Sequence, residues 1–226
     1  MSEALKSLDE GKRAARGGEP PPPAPQWLAD LLRPAVRAVS RVVWRVRFRG
    51  VEHIPAAGGV IIASNHQTYV DPFWITVPFR RPIRYLAWSE AFKWPFVGRV
   101  MGLLGAWPVV IERGNPSTHR RSLNWLRGGG AVMIFPEGGR AFGDGAMLRF
   151  KAGAARLALE AGAPILPVTI RGGHTAWPRG QRWPRAGRVE IVYHSLQHPS
   201  IRPGEDARAA AQRETETLAA TIRSAL

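Results

Sequence analysis

The 226-residue chain contains no cysteine. It can therefore form no disulfide, no thiolate metal site and no cysteine nucleophile, and it suits a reducing compartment. No uninterrupted apolar run reaches the roughly eighteen residues needed to cross a bilayer. The polar segment 1–18 predicts no secretory signal. If this chain meets a membrane, we expect it to lie on the surface.

Several common chemistry-bearing motifs are also missing. The sequence contains no G-x-G-x-x-G or Walker A loop, no H-E-x-x-H and no G-x-S-x-G. These absences argue against the usual nucleotide loops, zinc-hydrolase helices and serine-hydrolase elbows. The site must therefore be sought among other polar residues.

Acidic residues are few compared with basic ones. Lys and Arg number 32 against 17 Asp and Glu, a net charge of +15, and all but four of the basic residues are arginine. Such a charge predicts anionic partners: phosphate esters, nucleic acid or an acidic lipid surface. Arginine binds phosphate in a bidentate fork, although a codon bias toward arginine would give the same composition. The hydrophobic content of 45% is enough to bury a core.

Composition divides the chain into three parts. Residues 1–25 hold almost no large apolar residue and end in a proline-rich run, which predicts a disordered tail with a stiff polyproline end. Residues 26–43 are predicted to form an amphipathic helix. Residues 44–226 are predicted to form one globular domain.

The helix predicted for residues 26–43 has an apolar face and a basic one. Its apolar residues recur at spacings of four and three, with three arginines roughly opposite. Pro34 predicts a break or kink early in the helix. Two interpretations stay open. The apolar face packs on the domain, or it lies in a membrane interface with Trp27 and the arginines at headgroup level.

Short apolar segments alternate with helical ones from residue 44 onward. A period of two predicts a first strand at 44–49, and further strands are predicted at 59–63, 83–88, 107–111, 131–135, 164–170 and 188–194. Helices are predicted near 72–79, 90–102, 117–127, 150–161 and 205–225. The alternation indicates an α/β fold, with a mainly parallel central sheet flanked by helices and preceded by the N-terminal amphipathic helix.

His66 and Asp71 follow the buried strand 59–63. Sites in open α/β sheets form beyond the carboxyl ends of strands. A carboxylate that holds one imidazole N–H fixes the tautomer and leaves the other nitrogen to act as a base. Asp71 before Pro72 is also a good helix start, with the aspartate as N-cap. Alone, the spacing is weak and favours the helix cap.

Two further polar segments follow predicted strands. Gly138, Gly139 and Arg140 come after strand 131–135, where glycine amides and a fixed cation can hold a phosphate or an oxyanion. A glycine turn with a surface salt bridge is the alternative. Arg113 follows strand 107–111 and would face the same crevice, although a single arginine there is more often structural.

Together, these segments resemble the glycerophosphate and lysophospholipid acyltransferase family, whose best-known members make phosphatidic acid. The family's N-H-x₄-D block matches Asn65, His66 and Asp71. Its F-P-E-G-[TS]-R block matches residues 135–140, except at Gly139. Unrelated folds seldom carry both blocks in this order.

Two weaker blocks extend the resemblance over about residues 44–200. The family's apolar stretch ending in arginine matches residues 110–113, and its V-P-V-type strand matches residues 165–168. The resemblance implies that residues 44–226 are an acyltransferase domain of the 1-acyl-sn-glycerol-3-phosphate acyltransferase type.

The resemblance implies transfer of a fatty acyl group from a thioester to the free hydroxyl of lysophosphatidic acid, giving phosphatidic acid for phospholipid synthesis. His66 would be the general base, oriented by Asp71. Because a thiolate leaves readily, we expect no covalent acyl-enzyme, no resident cofactor and no metal. The amide of Gly138 is the candidate oxyanion donor.

Acceptor binding is likewise implied by the resemblance. It falls on four residues, with Asn65 in a supporting role: Arg113, Glu137, Gly138 and Arg140. The two arginines suit a phosphate dianion. An ionised Glu137 cannot bind phosphate directly, so we expect it to order the loop, for instance by pairing with an arginine.

The positive charge suits the anionic partners of such a reaction. These are a lysophospholipid, acyl-CoA or acyl carrier protein as co-substrate, and a membrane surface with anionic lipids. Residues 177–188 combine four arginines with two tryptophans, which suits the headgroup zone; a solvated loop over packed tryptophans is the alternative. The expected location is the cytoplasmic face of the cell membrane, in a peripheral or monotopic arrangement.

Three other functions stay open. Charge alone would permit a nucleic-acid-binding protein, but no nucleic-acid-binding motif is present, so no nucleic-acid partner is expected. A non-catalytic lipid-binding protein is the second, and the intact His66–Asp71 pair argues against it. The third is the same chemistry on glycerol 3-phosphate or a lyso-aminolipid, which the departure at Gly139 keeps in view.

Overall fold

A seven-stranded sheet forms the centre of the part of the chain that the structure describes. The structure is a computed structural model and describes residues 26–88, 106–109, 116–142, 145–177, 181 and 183–226. The strand order is β1-β7-β6-β2-β5-β3-β4. The strands are β1 (Arg47–Arg49), β2 (Val60–Ser64), β3 (Ile83–Trp88), β4 (Trp107–Val109), β5 (Ala131–Ile134), β6 (Ile165–Arg171) and β7 (Glu190–Tyr193).

Helices connect and flank these strands. Within the same ranges they are α1 (Gln26–Trp44), α2 (Asp71–Thr76), α3 (Pro116–Arg127), α4 (Gly153–Ala161), α5 (Gly173–Ala176) and α6 (Ala207–Arg223). The long closing helix α6 begins where the Asp206 carboxylate accepts a hydrogen bond from the Ala209 amide at 2.7 Å. This is the N-cap that satisfies a helix's unpaired first amides.

The sheet is mainly parallel, as the sequence predicts. Strand β2 lies between β5 and β6 and is parallel to both. Only the β6–β7 pair is antiparallel, and β1 pairs in parallel with β7. The segments that follow β2 and β5 therefore leave the sheet at the same edge, which brings residues 65–71 and 135–141 together.

The two faces of β2 face separate halves of the core. Val60 and Ile62 pack with the side chains of α2 and β7, and Ile61 and Ala63 pack with those of α4 and α6. Side chains alternate between faces along a strand, so a strand covered on both faces must be apolar throughout. Every residue of β2 is buried, so this strand lies at the centre of the core.

The strand predicted at 44–49 starts later than expected. Helix α1 continues through Trp44, whose ring meets the Trp74 ring edge-on at 5.3 Å. Arg45 then takes a left-handed conformation with φ of 45°, and β1 covers only Arg47–Arg49. The alternation itself is correct, since Phe48 is half-buried between two exposed arginines. The contact between Trp44 and Trp74 keeps Trp44 in the helix, although the alternation of apolar and basic residues begins there.

Helix α1 is also continuous through Pro34, so the predicted break is wrong, and the predicted kink stays a prediction. Proline costs a helix one backbone hydrogen bond without necessarily ending it. Two other predicted elements, the tail 1–25 and the helix 90–102, lie outside the described residues. The remaining predicted helices and strands are confirmed, with ends shifted by up to three residues.

Candidate active site

His66 and Asp71 face each other in the loop that follows β2. Nδ1 of His66 lies 2.8 Å from Oδ2 of Asp71. The aspartate side chain is fully buried, and the histidine side chain is 18% exposed. Because an ionised carboxylate only accepts hydrogen bonds, Nδ1 carries the proton and Nε2 carries the lone pair. The imidazole is thereby set up to take a proton at Nε2.

The Asp71 carboxylate also holds the loop around His66. Oδ2 accepts hydrogen bonds from the amides of Gln67 (2.6 Å) and Thr68 (2.8 Å), and Oδ1 accepts one from the Thr68 hydroxyl (2.6 Å). Four donors thus converge on one buried anion. These hydrogen bonds fix the turn between histidine and aspartate.

The structure decides between the two interpretations of Asp71. Val70 is the N-cap of α2, and no side chain caps this helix end. The helix-cap interpretation is therefore wrong, because the carboxylate points back at residues 66–68 rather than at the helix amides. Pro72 does lie in the first turn, as predicted.

Phe135 fixes the plane of the imidazole. The two rings stack with centroids 4.0 Å apart and an interplanar angle of 20°. Phe135 directly follows β5, the parallel neighbour of β2. One face of the His66 ring is thus covered by an apolar surface, which leaves Nε2 at the ring edge as the reactive position.

Glu137 joins the two loops through backbone amides. Oε1 accepts from the His66 amide and Oε2 from the Leu148 amide, both at 2.8 Å. Glu137 is only 5% exposed. On the same loop, the Ala141 amide donates to the His66 carbonyl at 2.7 Å. The glutamate therefore orders the loop, as the sequence predicts, and the partners of its oxygens among the described residues are backbone amides.

The Gly138 amide closes a tight turn. It donates a 3.0 Å hydrogen bond to the Phe135 carbonyl. Gly138 has φ of 68°, a left-handed conformation that glycine adopts without a Cβ penalty. The glycine is therefore needed for the shape of the turn, and its oxyanion role stays a prediction.

Gly139 and Arg140 complete this loop. A Cβ added at Gly139 would meet no atom within 4 Å, so a hydroxyl side chain at this position would have room. The Arg140 guanidinium lies over the ring of Tyr69, with Cζ 3.5 Å from the centroid. The predicted acceptor residue Arg113 lies outside the described residues. Acceptor binding by Arg140 and Glu137 stays a prediction.

Asn65 ties the end of β2 to β6. Its Nδ2 donates to the Ile170 carbonyl at 2.9 Å, and its Oδ1 accepts from the Ile170 amide at 2.7 Å. The buried side chain imitates a strand residue just after β2 ends. This contact fits the supporting role given to Asn65, because it fixes the backbone immediately before His66.

A family comparison decides the class of the chain. A family model described as Acyltransferase matches residues 45–171, more than half of the chain. This chain belongs to the acyltransferase family. The matched range contains the His66–Asp71 pair and the loop at 135–141, and the resemblance seen in the sequence is confirmed.

Individual acyltransferases agree with the family match. The chain is 34% identical over 187 residues to a 1-acyl-sn-glycerol-3-phosphate acyltransferase of Pseudomonas aeruginosa, covering 77% of this chain and 67% of that protein. A similarly named protein of Chlamydomonas reinhardtii is 30% identical over 77% of this chain and 53% of its own length. The chain thus spans between half and two thirds of these relatives.

A solved structure also matches. The crystal structure of the 1-acyl-sn-glycerophosphate (LPA) acyltransferase from Thermotoga maritima superposes with a TM-score of 0.66 at 25% identity. The match covers 86% of this chain and 78% of that one. The α/β fold predicted from the sequence is confirmed by this similarity.

Two residues of this acyltransferase site were not assigned roles from the sequence. Thr68 supplies two of the four donors to Asp71, and a threonine three residues before an aspartate is a recognisable turn signal. Leu148 contributes only its amide. Every residue but proline has an amide, so no pattern could have found Leu148. Within the described ranges, no group of three or more His, Cys, Asp or Glu could hold a metal ion.

Glu137 is expected to make the stability of this acyltransferase depend on pH. Burial raises the pKa of its carboxyl to about 7, and the nearby Asp71 charge adds to the rise, while the Leu148 and His66 amides oppose it. Since the folded chain holds a proton that the unfolded chain releases, stability falls as pH rises from about 4.5 to about 7. The loss is roughly 3 kcal/mol, because each pKa unit is worth about 1.4 kcal/mol.

Glu137→Gln isolates this effect. Urea unfolding from pH 4 to 8 is expected to give a free energy of unfolding that, relative to the wild type, rises by roughly 3 kcal/mol across the window. All other carboxyl groups are shared by the two proteins and cancel in the difference. Parallel curves would show that the pKa of Glu137 is the same in the folded and unfolded chains and would contradict the prediction.

Proposed function

We propose that this acyltransferase moves a fatty acyl group from a thioester to the free hydroxyl of lysophosphatidic acid, forming phosphatidic acid. The observation that carries the chemistry is the His66 Nδ1–Asp71 Oδ2 contact of 2.8 Å at the carboxyl edge of the sheet. The acceptor is supported by the similarity of this chain to the Pseudomonas and Chlamydomonas proteins and the Thermotoga structure, which are named as acyltransferases of 1-acyl-glycerophosphate.

The proposed reaction is a direct transfer. His66 Nε2 takes the proton of the acceptor hydroxyl while its oxygen attacks the thioester carbonyl. The charge on the imidazolium is balanced by Asp71, whose other hydrogen bonds keep it in place. The tetrahedral intermediate then expels the thiolate, which takes the proton from His66 as the C–S bond breaks. An ester and a thiol result, and no resident cofactor is required.

The acceptor phosphate is proposed to bind at Arg140, joined by Arg113. Arginine suits a phosphate dianion because its donors form a planar fork. Glu137 contributes indirectly, since both of its oxygens accept backbone amides. In this proposal the arginines bind the phosphate, and Glu137 holds the loop in shape.

A membrane surface is the proposed place of the reaction, with α1 as the contact. Six large apolar residues of this helix are exposed, and Val42 is exposed at 79%. The opposite side of α1 meets the domain through buried Ser40 and through Trp44. The exposed face favours the interfacial interpretation over packing on the domain. No helix in the described ranges is long and apolar enough to span a bilayer.

The two tryptophans of the segment at 177–188 differ in their exposure. The Trp177 ring packs against Tyr69, and its indole N–H donates to the Gln181 carbonyl at 3.0 Å. Trp183 is 71% exposed. We place Trp183 and α1 on the side that meets anionic lipids of the cytoplasmic leaflet, where acyl-CoA or acyl carrier protein delivers the thioester.

The double variant Leu32→Asp/Val42→Asp is expected to weaken binding to vesicles by tenfold or more. Each exposed aliphatic residue contributes roughly 1.5–3 kcal/mol when buried, and two added charges repel anionic lipid. Co-sedimentation with vesicles rich in phosphatidylglycerol measures the change. Ile201→Asp, at another exposed apolar position, is the matched control. Equal binding by all three proteins would contradict a role for α1.

The function itself is tested by acyl transfer with purified protein. Labelled acyl-CoA and acyl carrier protein serve as donors, with lysophosphatidic acid, glycerol 3-phosphate and a lyso-aminolipid as acceptors. Formation of phosphatidic acid from lysophosphatidic acid is the expected result. Activity only on another acceptor would overturn the acceptor assignment and keep the chemistry. Gly139→Thr, which has room for its side chain, would then test whether this position sets the preference.

A further inference from the structure

The ring of Tyr69 lies at the junction of three loops. The Arg140 guanidinium covers the ring with Cζ 3.5 Å from the centroid, and the Trp177 ring meets it edge-on with centroids 5.9 Å apart at 74°. Tyr69 belongs to the loop that carries His66 and Asp71. Arg140 comes from the loop after β5, and Trp177 directly follows α5. One partly exposed ring therefore connects the proposed base to the proposed phosphate site.

The distance limits the orientation of the guanidinium. Its C–N bonds are about 1.3 Å long, as in other partial double bonds. If one of them pointed at the ring centre, its nitrogen would lie about 2.2 Å from the centroid, far inside contact distance. The Tyr69 ring therefore excludes such orientations and restricts the arginine, whose donors form the planar fork that suits a phosphate.

The backbone on both sides of Tyr69 is held by neighbours along the chain. Gln67, two residues earlier, accepts a 3.2 Å hydrogen bond from the His174 amide, which ties this loop to α5. Gln67 is buried, and the indole N–H of Trp177, at the end of α5, donates to the Gln181 carbonyl. Asp71, two residues later, is fully buried. These contacts hold the loop that carries Tyr69, and they do not involve Arg140.

We propose that Tyr69 is a positioning residue that holds Arg140 in the orientation for binding the acceptor's phosphate monoester. The ring removes rotamer freedom from the arginine before the acceptor arrives, and such preorganisation raises affinity. Tyr69 thereby favours phosphorylated acceptors over uncharged ones. The proposal rests on the proposed function, since it assumes a phosphate-bearing acceptor at Arg140.

The test compares Tyr69→Leu with Tyr69→Phe in steady-state kinetics. Lysophosphatidic acid and the corresponding monoacylglycerol, which lacks the phosphate, are the two acceptors. Tyr69→Leu is expected to raise KM for lysophosphatidic acid by roughly five- to tenfold with kcat within twofold. Its kcat/KM for monoacylglycerol should stay unchanged, so the preference for phosphate falls by the same factor. Tyr69→Phe keeps the ring and should restore the wild-type KM.

A second background separates positioning from a purely structural role. If Tyr69 acts through Arg140, Tyr69→Leu should have no further effect on KM in an Arg140→Ala protein. A loss of kcat at constant KM, an equal loss with both acceptors, or a Tyr69→Phe variant as poor as Tyr69→Leu would overturn the proposal. If the wild type acts on glycerol 3-phosphate instead, the same comparison is made with that phosphate monoester. A wild type that uses no phosphorylated acceptor would overturn the proposed function as well, and that result is seen before any variant is made.

Discussion

His66→Ala is expected to lower kcat for acyl transfer by about 10²- to 10⁴-fold, the usual contribution of a positioned general base. At neutral pH an unassisted hydroxyl is a poor nucleophile toward a thioester. Nε2 of His66 carries the lone pair that accepts the hydroxyl proton, because the contact with Asp71 keeps the proton of the imidazole on Nδ1. KM for the acceptor should change little, because the phosphate is bound elsewhere. Thiol release from acyl-CoA, followed continuously, gives both constants.

A histidine outside the site provides the matched control. His119 on α3 pairs with Glu160 at 2.7 Å on the exposed surface. His119→Ala should retain full activity. Both variants should melt close to the wild type, since the His66 side chain is held mainly by a hydrogen bond and a ring contact. Retention of more than a tenth of the wild-type kcat by His66→Ala would refute its role as the base.

Asp71→Asn is expected to reduce kcat by about 10²-fold or more while the protein stays folded. The asparagine oxygen can take the place of Oδ2 and still accept the Gln67 and Thr68 amides. The Thr68 hydroxyl, which donates to Oδ1, can rotate to accept from the new amide group. What is lost is the negative charge that stabilises the imidazolium. Kinetics and a urea unfolding curve on the same sample separate the two effects.

Asp71→Ala measures how much the hydrogen bonds to Asp71 contribute to stability, because Asp71→Asn can keep these bonds and Asp71→Ala cannot. Removal of the buried carboxylate leaves the Gln67 and Thr68 amides, the Thr68 hydroxyl and His66 Nδ1 without their acceptor. Several unsatisfied buried donors cost about 3–5 kcal/mol together. If Asp71→Asn is as unstable as Asp71→Ala, its loss of activity cannot be assigned to the charge.

The double variant His66→Ala/Asp71→Asn tests whether the pair acts as a unit. Without the imidazole, the charge of Asp71 has no imidazolium to stabilise, so the double variant should be no slower than His66→Ala alone. Multiplication of the two single effects would mean that Asp71 acts on the reaction independently of His66.

Errors in the sequence-based predictions occurred where a tertiary contact changed a local preference. A helix cap was the natural interpretation of Asp71-Pro72, yet the four donors around the carboxylate hold it in the loop. The Gly138 amide also has a partner that the sequence did not reveal, since it closes a turn on Phe135. In both cases the sequence identified the residue but not the partner of its polar group.

The sequence by itself determined the α/β class, the order of most elements and the two loops that carry the chemistry. Continuous apolar runs such as residues 60–63 can be buried only in a sheet covered on both faces, and the spacing of His66, Asp71 and the loop at 135–140 indicated the family.

Only the tertiary structure decided which side chains meet. The Phe135 ring lies on His66, the Glu137 carboxylate joins the His66 and Leu148 amides, and the Tyr69 ring lies under Arg140. These contacts link residues far apart in the chain, and they exist because β2 and β5 are parallel neighbours whose ends reach the same edge. Local patterns specify the strands, but the pairing of strands is a property of the whole sheet, and it sets the geometry of the site.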